Sequence, residues 1–218
     1  MEHSWPIDSE IFIHPFTCLI AGPTQSGKTH LLQQILLYQD LLITPQLDRI
    51  VYCYTKWQPK FDEMKLSVRN IEFFQGIKPV DELNQNENNL IVLDDLMQEC
   101  ENSDSISRLF TIDSHHHNTS VFLLSQNLFS RGKYMRTISL NCNYLIIFKN
   151  PRDNLQINVL ARQMFPDKIQ FFMEAFSDAV ENKSHSYIFL DLKQSTLDKN
   201  RVQTGIIPGE KRIIYTKK

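Results

Sequence analysis

Short apolar runs of strand length recur along the chain, at residues 16–21, 50–54, 90–94, 121–125, 144–148 and 187–190, with polar and amphipathic stretches between them. The runs are rich in Ile, Val, Phe and Tyr, and several are apolar on both faces, so they need cover on both sides. The intervening segments supply it. Leu31, Leu32, Ile35 and Leu36 fall a helical turn apart after the first run, and Leu155, Ile157, Leu160, Ala161 and Met164 can line one helix face after the fifth. Phe171, Phe172 and Phe176 share that spacing and read as core. The pattern predicts an α/β fold: a mostly parallel central sheet with helices on both faces. Residues 1–12 read as a lead-in to a core domain spanning 1–192, and 193–218, with Pro208-Gly209 inside it, reads as an extended or hairpin appendage packed on the same domain.

A length of 218 residues, 42% of them hydrophobic, suits one core and not two of ordinary size. No apolar run approaches the roughly 18 residues of a bilayer span, and the first ten residues lack the pattern of a signal peptide, so neither membrane insertion nor secretion is expected. Cys18, Cys53, Cys100 and Cys142 show no paired spacing. They form neither a zinc ligand set nor a disulfide framework, and read as thiols in a reducing compartment. The net charge of -2 hides an uneven distribution: Asp81 to Asp104 holds eight acids and no Lys or Arg. Arg131, Lys133, Arg136, Lys149, Arg152, Arg162 and Lys168 stand against only Asp153 and Asp167, and the last twenty residues carry six basic side chains against Glu210. Solvated helix faces account for such charges one by one; their clustering points to a polyanion.

Candidate chemistry begins at Gly22-Pro23-Thr24-Gln25-Ser26-Gly27-Lys28-Thr29, which follows an apolar strand and precedes, from His30 onward, an amphipathic helix. The pattern is that of a phosphate-binding loop in both of its required contexts. Glycines let the backbone wrap a phosphate, loop amides and the helix N-terminus offer donors, and Lys28 places a point charge on the outer phosphates. Thr29 offers a hydroxyl to Mg2+. Residues 22–30 are therefore the expected nucleotide-binding segment.

The run 90–93 ends in Asp94 and Asp95, at the sheet edge where ligands of such folds sit. Asp94 suits the Mg2+ shell, and Asp95 is free to accept a proton from an attacking water or to orient it. A helix N-cap is the competing role for this pair. The run 121–125 ends in Gln126, which either reaches the γ-phosphate and its water or caps a turn.

Together GPTQSGKT, LIVLDDLM, FTIDSHHHN, SVFLLSQNLFSRGKYMRTISLNCNYLIIFKNPRD, LARQMFP, YIFLDLKQST and the terminal IIPGE resemble the genome-packaging ATPases of Maverick/Polinton elements and related double-stranded DNA viruses, within the FtsK/HerA group. The resemblance implies a RecA-like P-loop NTPase with an additional strand between the Walker A and Walker B strands. It implies a homo-oligomeric ring with ATP in each interface and double-stranded DNA, held by its phosphates, drawn into a capsid at a portal-vertex protein. It implies a location in the nucleus or cytoplasm of a host cell. Lys28 and Thr29 then hold nucleotide and Mg2+, Asp94 holds the metal, Asp95 activates water and Gln126 senses the γ-phosphate. A neighbouring subunit is expected to supply an arginine, Arg136 first, with Arg152 and Arg131 as alternatives. Each of the three can equally pair with an acid of its own subunit or with a DNA phosphate.

The chain departs from the family at Ile112 and Asp113, where a basic residue and a glycine are common, and at Gln203, a commonly basic position, although Arg201 remains. His115, His116 and His117 are consecutive, so they point in different directions and do not make one metal site. A small nucleotide or nucleoside kinase shares the loop but needs an acceptor pocket and a basic lid, and the adjacent acids and Gln126 speak against it. A diverged nucleotide-binding protein with little turnover is the remaining alternative.

Overall fold

The computed structural model describes residues 11–96, 104–114, 117–129, 134–181 and 184–217. Its centre is a nine-stranded sheet built from β2 (Thr17–Ala21), β4 (Arg49–Tyr54), β5 (Ile71–Gln75), β6 (Asn89–Asp94), β7 (Thr119–Ser125), β8 (Tyr144–Phe148), β9 (Tyr187–Asp191), β10 (Val202–Thr204) and β11 (Ile213–Tyr215). The order is β11-β10-β9-β8-β2-β7-β6-β4-β5. From β8 through β2 and β7 to β5 every pairing is parallel; β9, β10 and β11 add antiparallel. The run at 187–190, grouped by its pattern with the parallel strands, therefore runs against its neighbour. Two short strands, β1 (Phe12–Ile13) and β3 (Ile43–Thr44), pair separately.

Alternation along each strand divides the core into two layers. Cys18, Ile20, Ile50, Tyr52, Leu90 and Val92 face one side, where α1 (Lys28–Leu37) buries Leu31, Leu32, Ile35 and Leu36. Leu19, Val51, Ile91, Leu93, Leu123 and Leu145 face the other, covered by α6 (Leu155–Met164) and α7 (Ile169–Glu181). Both faces are dry, which is why the strands read as continuous apolar runs. Phe12 stacks on Phe16 at 5.1 Å and meets Phe122, Tyr144 and Phe189 edge-on at 5.1–5.7 Å, which pins Phe12 to the sheet.

Shorter helices fill the remaining connections: α2 (Gln39–Leu42), α3 (Lys60–Ser67), α4 (Asp104–Arg108), continued by a π-helical turn at Leu109–Asp113, and α5 (Met135–Leu140). Leu155 departs from the expected apolar face: it is 72% exposed on the first turn of α6, while Ile157, Leu160 and Ala161 turn inward. Phe172 and Phe176 are buried and Phe171 packs partly buried beside them. Cys18, Cys53 and Cys142 are buried free thiols, and burial raises all three pKa values, Cys53 to about 11; Cys100 lies outside the described residues. Strand β5 has no counterpart among the predicted runs. All but one of its residues are half-buried, and Glu72 in its middle carries Arg49 at 2.7 Å and Lys78 at 3.1 Å. No described helix is long and apolar enough to cross a membrane.

Candidate functional site

Strand β2 ends at Ala21, and the chain turns through Gly22–Gly27 into α1. Gln25 and Gly27 are both left-handed, at φ 65° and 106°, which folds the intervening amides into a concave nest. Gly22 is required by space: a methyl group there would lie 2.7 Å from Phe148 Cβ and 2.8 Å from Ser26 Oγ. Gly27 is the N-cap of α1, and no side chain caps the helix, so its first-turn N–H groups remain available to an anion.

Lys28 turns back over this loop and donates to the Gly22 carbonyl at 2.6 Å and the Pro23 carbonyl at 2.9 Å. Burial lowers its pKa, while the charges of Asp94 and Asp95 act to raise it. Ser26 Oγ is buried with no hydrogen-bond partner among the described residues. An orphaned hydroxyl, an uncapped helix start and an ammonium that among the described residues is held by carbonyls together suit an oligophosphate.

Asp94 closes β6 opposite the loop. It is 5% exposed, and its Oδ2 accepts the Tyr52 hydroxyl at 2.6 Å. Burial raises the pKa of Asp94, with Asp95 adding to the rise; the Tyr52 hydrogen bond, Lys28 and Lys60 oppose it. Asp95 is exposed and left-handed at φ 58°, and its carbonyl accepts the Thr55 hydroxyl at 2.7 Å. A non-glycine residue held in that region stores strain, and here it turns two consecutive carboxylates into different surroundings, one buried and one open. Thr29 and Asp94 supply the hard oxygen donors that Mg2+ takes.

Strand β7 lies between β2 and β6, so its end delivers Gln126 to the same rim. Gln126 is exposed and lines a small cleft together with Gly22 and Phe148. Arg136 sits exposed on the first turn of α5, a helix packed against α4 and its π-helical turn, and Arg152 is exposed in the loop after β8. Neither guanidinium has a partner among the described residues. Arg131, His115 and His116 lie outside those residues, as do the side chains of Ile112 and Asp113. His117 lies 3.0 Å from Gln85 and 3.7 Å from Asp81. Gln203 Oε1 accepts both Nε and Nη2 of Arg212, the residue before β11, at 3.0 and 2.8 Å, so a basic residue in its place would set two cations together. Arg201 is held by the carbonyls of Asp191 and Lys193 and by Asp198.

Three contributors escape a reading of the sequence alone. Tyr52 is one of two tyrosines in β4, the strand beside the acidic one, and nothing in its local sequence sets it apart from Tyr54. Lys60, at the start of α3, lies close enough to Asp94 and to His30 to act on both charges; burial, then Lys60 and His185, lower the pKa of the exposed His30. His185 reaches the loop from the turn before β9, its Nδ1 3.0 Å from the Ser26 carbonyl, and nothing in its local sequence marks it.

No family model matches the chain, and no curated protein matches it in sequence. In structure it is similar to the genome packaging NTPase B204 from Sulfolobus turreted icosahedral virus 2 in complex with AMP. The TM-score is 0.56 at 10% identity, over 84% of this chain and 95% of that one. The AMPPCP complex of the same protein gives 0.56 at 9% identity, over 87% and 96%. The DNA-packaging ATPase B204 from Sulfolobus turreted icosahedral virus gives 0.55 at 10% identity, over 94% and 99%. At these identities the likeness establishes the fold, that of a RecA-like P-loop NTPase.

Proposed function

We propose that the chain hydrolyses ATP in this loop and uses the energy to move double-stranded DNA into a capsid, working as a ring of identical subunits of the Maverick/Polinton kind. The observation that carries the reading is the convergence of Lys28, Thr29, Asp94, Asp95 and Gln126 on one rim of the sheet, around a loop in which the buried Ser26 hydroxyl lacks a partner among the described residues. Residues 22–30 bind and orient the triphosphate. Thr29 and Asp94 would hold Mg2+, which when bound would draw negative charge from the outer phosphate oxygens. Asp95, open to water, takes the proton from the attacking water, and Gln126 orients that water. Arg136 enters the site of the adjacent subunit, with Arg152 or Arg131 in its place if it does not.

Support for a DNA substrate comes from charge. Arg136, Lys149, Arg152 and Arg162 are exposed and have no acidic partner among the described residues, so they are free to meet phosphates. Contact of this sort is indifferent to sequence and weakens steeply with salt. The similar viral proteins are a genome packaging NTPase and a DNA-packaging ATPase, which supports a DNA substrate; a capsid or portal partner and work inside a host cell are part of the same proposal.

The test is steady-state ATP hydrolysis with and without long double-stranded DNA, at low and moderate salt, with Lys28→Ala as the blank. The expected result is turnover stimulated by DNA, with stimulation that fades as salt rises. Turnover indifferent to DNA at every salt concentration would remove the motor, and ATP binding without turnover would leave only a nucleotide-binding protein.

A further inference from the structure

The phosphate loop gives the phosphates a site and leaves the nucleoside end without one. The contacts of the loop lead outward to a place for it. The turn before β9 lies directly against the start of α1: besides the hydrogen bond from His185 to the Ser26 carbonyl, a methyl group on Gly27 would come within 2.9 Å of His185 Cβ. The next residue, Ser186, already lines a cleft of about 230 Å³ between α7, the start of β9 and the β10–β11 hairpin. That is smaller than the roughly 300–1,000 Å³ of sites that enclose a whole drug-sized ligand, and it suits one end of a nucleotide whose phosphates lie elsewhere. Only β8 separates β9 from β2, so the cleft begins about 10 Å from the loop strand at ordinary strand spacing. An extended nucleotide covers a distance of that order between its outer phosphates and its base.

The lining has the mixed character that a base and sugar require. Tyr187, Tyr215 and Ile213 offer apolar surface, and Thr204 and Glu210 offer polar atoms. Glu210 is the residue that can discriminate. Its Oε2 accepts the Tyr187 hydroxyl at 2.6 Å and the Ile207 N–H at 3.3 Å, and that hydroxyl in turn accepts the Ile206 N–H at 3.0 Å. Its Oε1 accepts no hydrogen bond among the described residues. A carboxylate anchored through one oxygen presents the other as a fixed acceptor, and the group that matches it is an amine. The hairpin carrying it is held closely: Gly205 is left-handed at φ 70°, and a methyl group on it would collide with the Lys211 carbonyl. IIPGE, singled out in the sequence without a role, supplies this acceptor.

We propose that the cleft between α7 and the β10–β11 hairpin receives the nucleoside end of the bound nucleotide, and that Glu210 Oε1 accepts the exocyclic amine of adenine, selecting it over guanine, whose corresponding edge carries a carbonyl oxygen. This rests on the nucleotide reading above, and the experiment separates the two. Binding of ATP, GTP and inorganic triphosphate is measured calorimetrically on the whole chain and on Glu210→Gln. Glutamine keeps a carbonyl for the Tyr187 hydroxyl and replaces the free acceptor with a donor. ATP binding weakens about tenfold, as loss of a hydrogen bond to a charged group implies. Inorganic triphosphate binding does not change, and the preference for ATP over GTP shrinks. Ser186→Tyr, which fills the cleft, gives the answer if Glu210→Gln fails to fold: both nucleotides weaken and triphosphate does not.

The site is overturned if a folded Glu210→Gln protein keeps the wild-type affinities and ATP-to-GTP ratio, or if it loses triphosphate in step with ATP. It is also overturned if the wild-type chain holds triphosphate as tightly as ATP, because no nucleoside contact then contributes. A wild-type chain that binds none of the three removes the nucleotide reading itself along with the cleft.

Discussion

Replacing Tyr52 with Phe removes one oxygen and little else, and the structure says what that oxygen does. The Tyr52 hydroxyl donates at 2.6 Å to Asp94 Oδ2, and the two residues are 0% and 5% exposed. A hydrogen bond to a charged group contributes about 1.5–3 kcal/mol, against about 0.5–1.5 kcal/mol between neutral groups. At pH 8, where Asp94 is ionised, Tyr52→Phe is expected to lower unfolding free energy by about 2 kcal/mol, and the melting temperature by about 4–8 °C for a chain of this size. The loss depends on pH with a definite sign. Burial already raises the Asp94 pKa and the hydrogen bond restrains that rise, so the variant protonates at still higher pH. A carboxyl whose folded pKa is raised contributes stability below its unfolded pKa and loses that contribution as pH climbs through the folded value. The penalty of the variant is therefore full in alkaline solution. It shrinks towards about 1 kcal/mol in acid, where the carboxyl is neutral in both proteins. Urea unfolding at pH 8 and in steps down into acid, with Asp94→Asn completing a double-mutant cycle, measures it. A loss under about 0.5 kcal/mol at pH 8, or one that does not change with pH, would refute the assignment of Tyr52 as the anchor of the buried carboxylate.

Lys28→Ala is expected to abolish ATP turnover, read by phosphate release, because the outer phosphates lose their charge partner; turnover at the wild-type rate would remove the loop assignment. Asp95→Asn is expected to retain nucleotide affinity within a few-fold while slowing hydrolysis by about 10²–10⁴, the range for loss of a general base, and a mutant that turns over normally would end that role. Arg136→Ala is expected to inactivate on its own and to regain part of the activity when mixed with Lys28→Ala subunits; absence of rescue moves the arginine to Arg152 or Arg131. Gly205→Ala places a methyl group against a carbonyl at a left-handed backbone position. It is expected to cost at least about 1–3 kcal/mol in thermal or urea unfolding, and a neutral result would mean that the hairpin shifts freely.

The elements that position the phosphate loop were legible in the sequence because strands buried on both faces leave unbroken apolar runs, and because the loop has fixed spacing between Gly22, Gly27, Lys28 and Thr29. Strand β5 was not, since a half-buried strand with Glu72 in its middle has no such run. Leu155 misled for a related reason: helical spacing gives the face but not where the first turn leaves the core. Among candidate site residues, Asp94, Asp95 and Gln126 could be placed because strand ends of this sheet share one rim. Tyr52, Lys60 and His185 come to that rim through tertiary packing, His185 across a separation of 159 positions from Ser26, and no local pattern encodes such a meeting. Gln203, read as a lost positive charge, is an acceptor for Arg212, a partnership visible only when β10 and β11 are paired.

The ion cluster on β5 also bears on how copies of the chain can meet. An outermost strand exposes unpaired N–H and C=O groups and invites another strand to add to it. Here Glu72 is tied to Arg49 and Lys78 in the middle of one outermost strand, so an incoming strand would have to settle beside a charge cluster. The opposite outermost strand, β11, is only three residues long and is followed by Lys217 and Lys218. Both ends of the sheet thus discourage continuation from one molecule into the next. In the proposed ring, subunits would then meet through helices and loops, contacts that can loosen and re-form, where a shared sheet would lock them together.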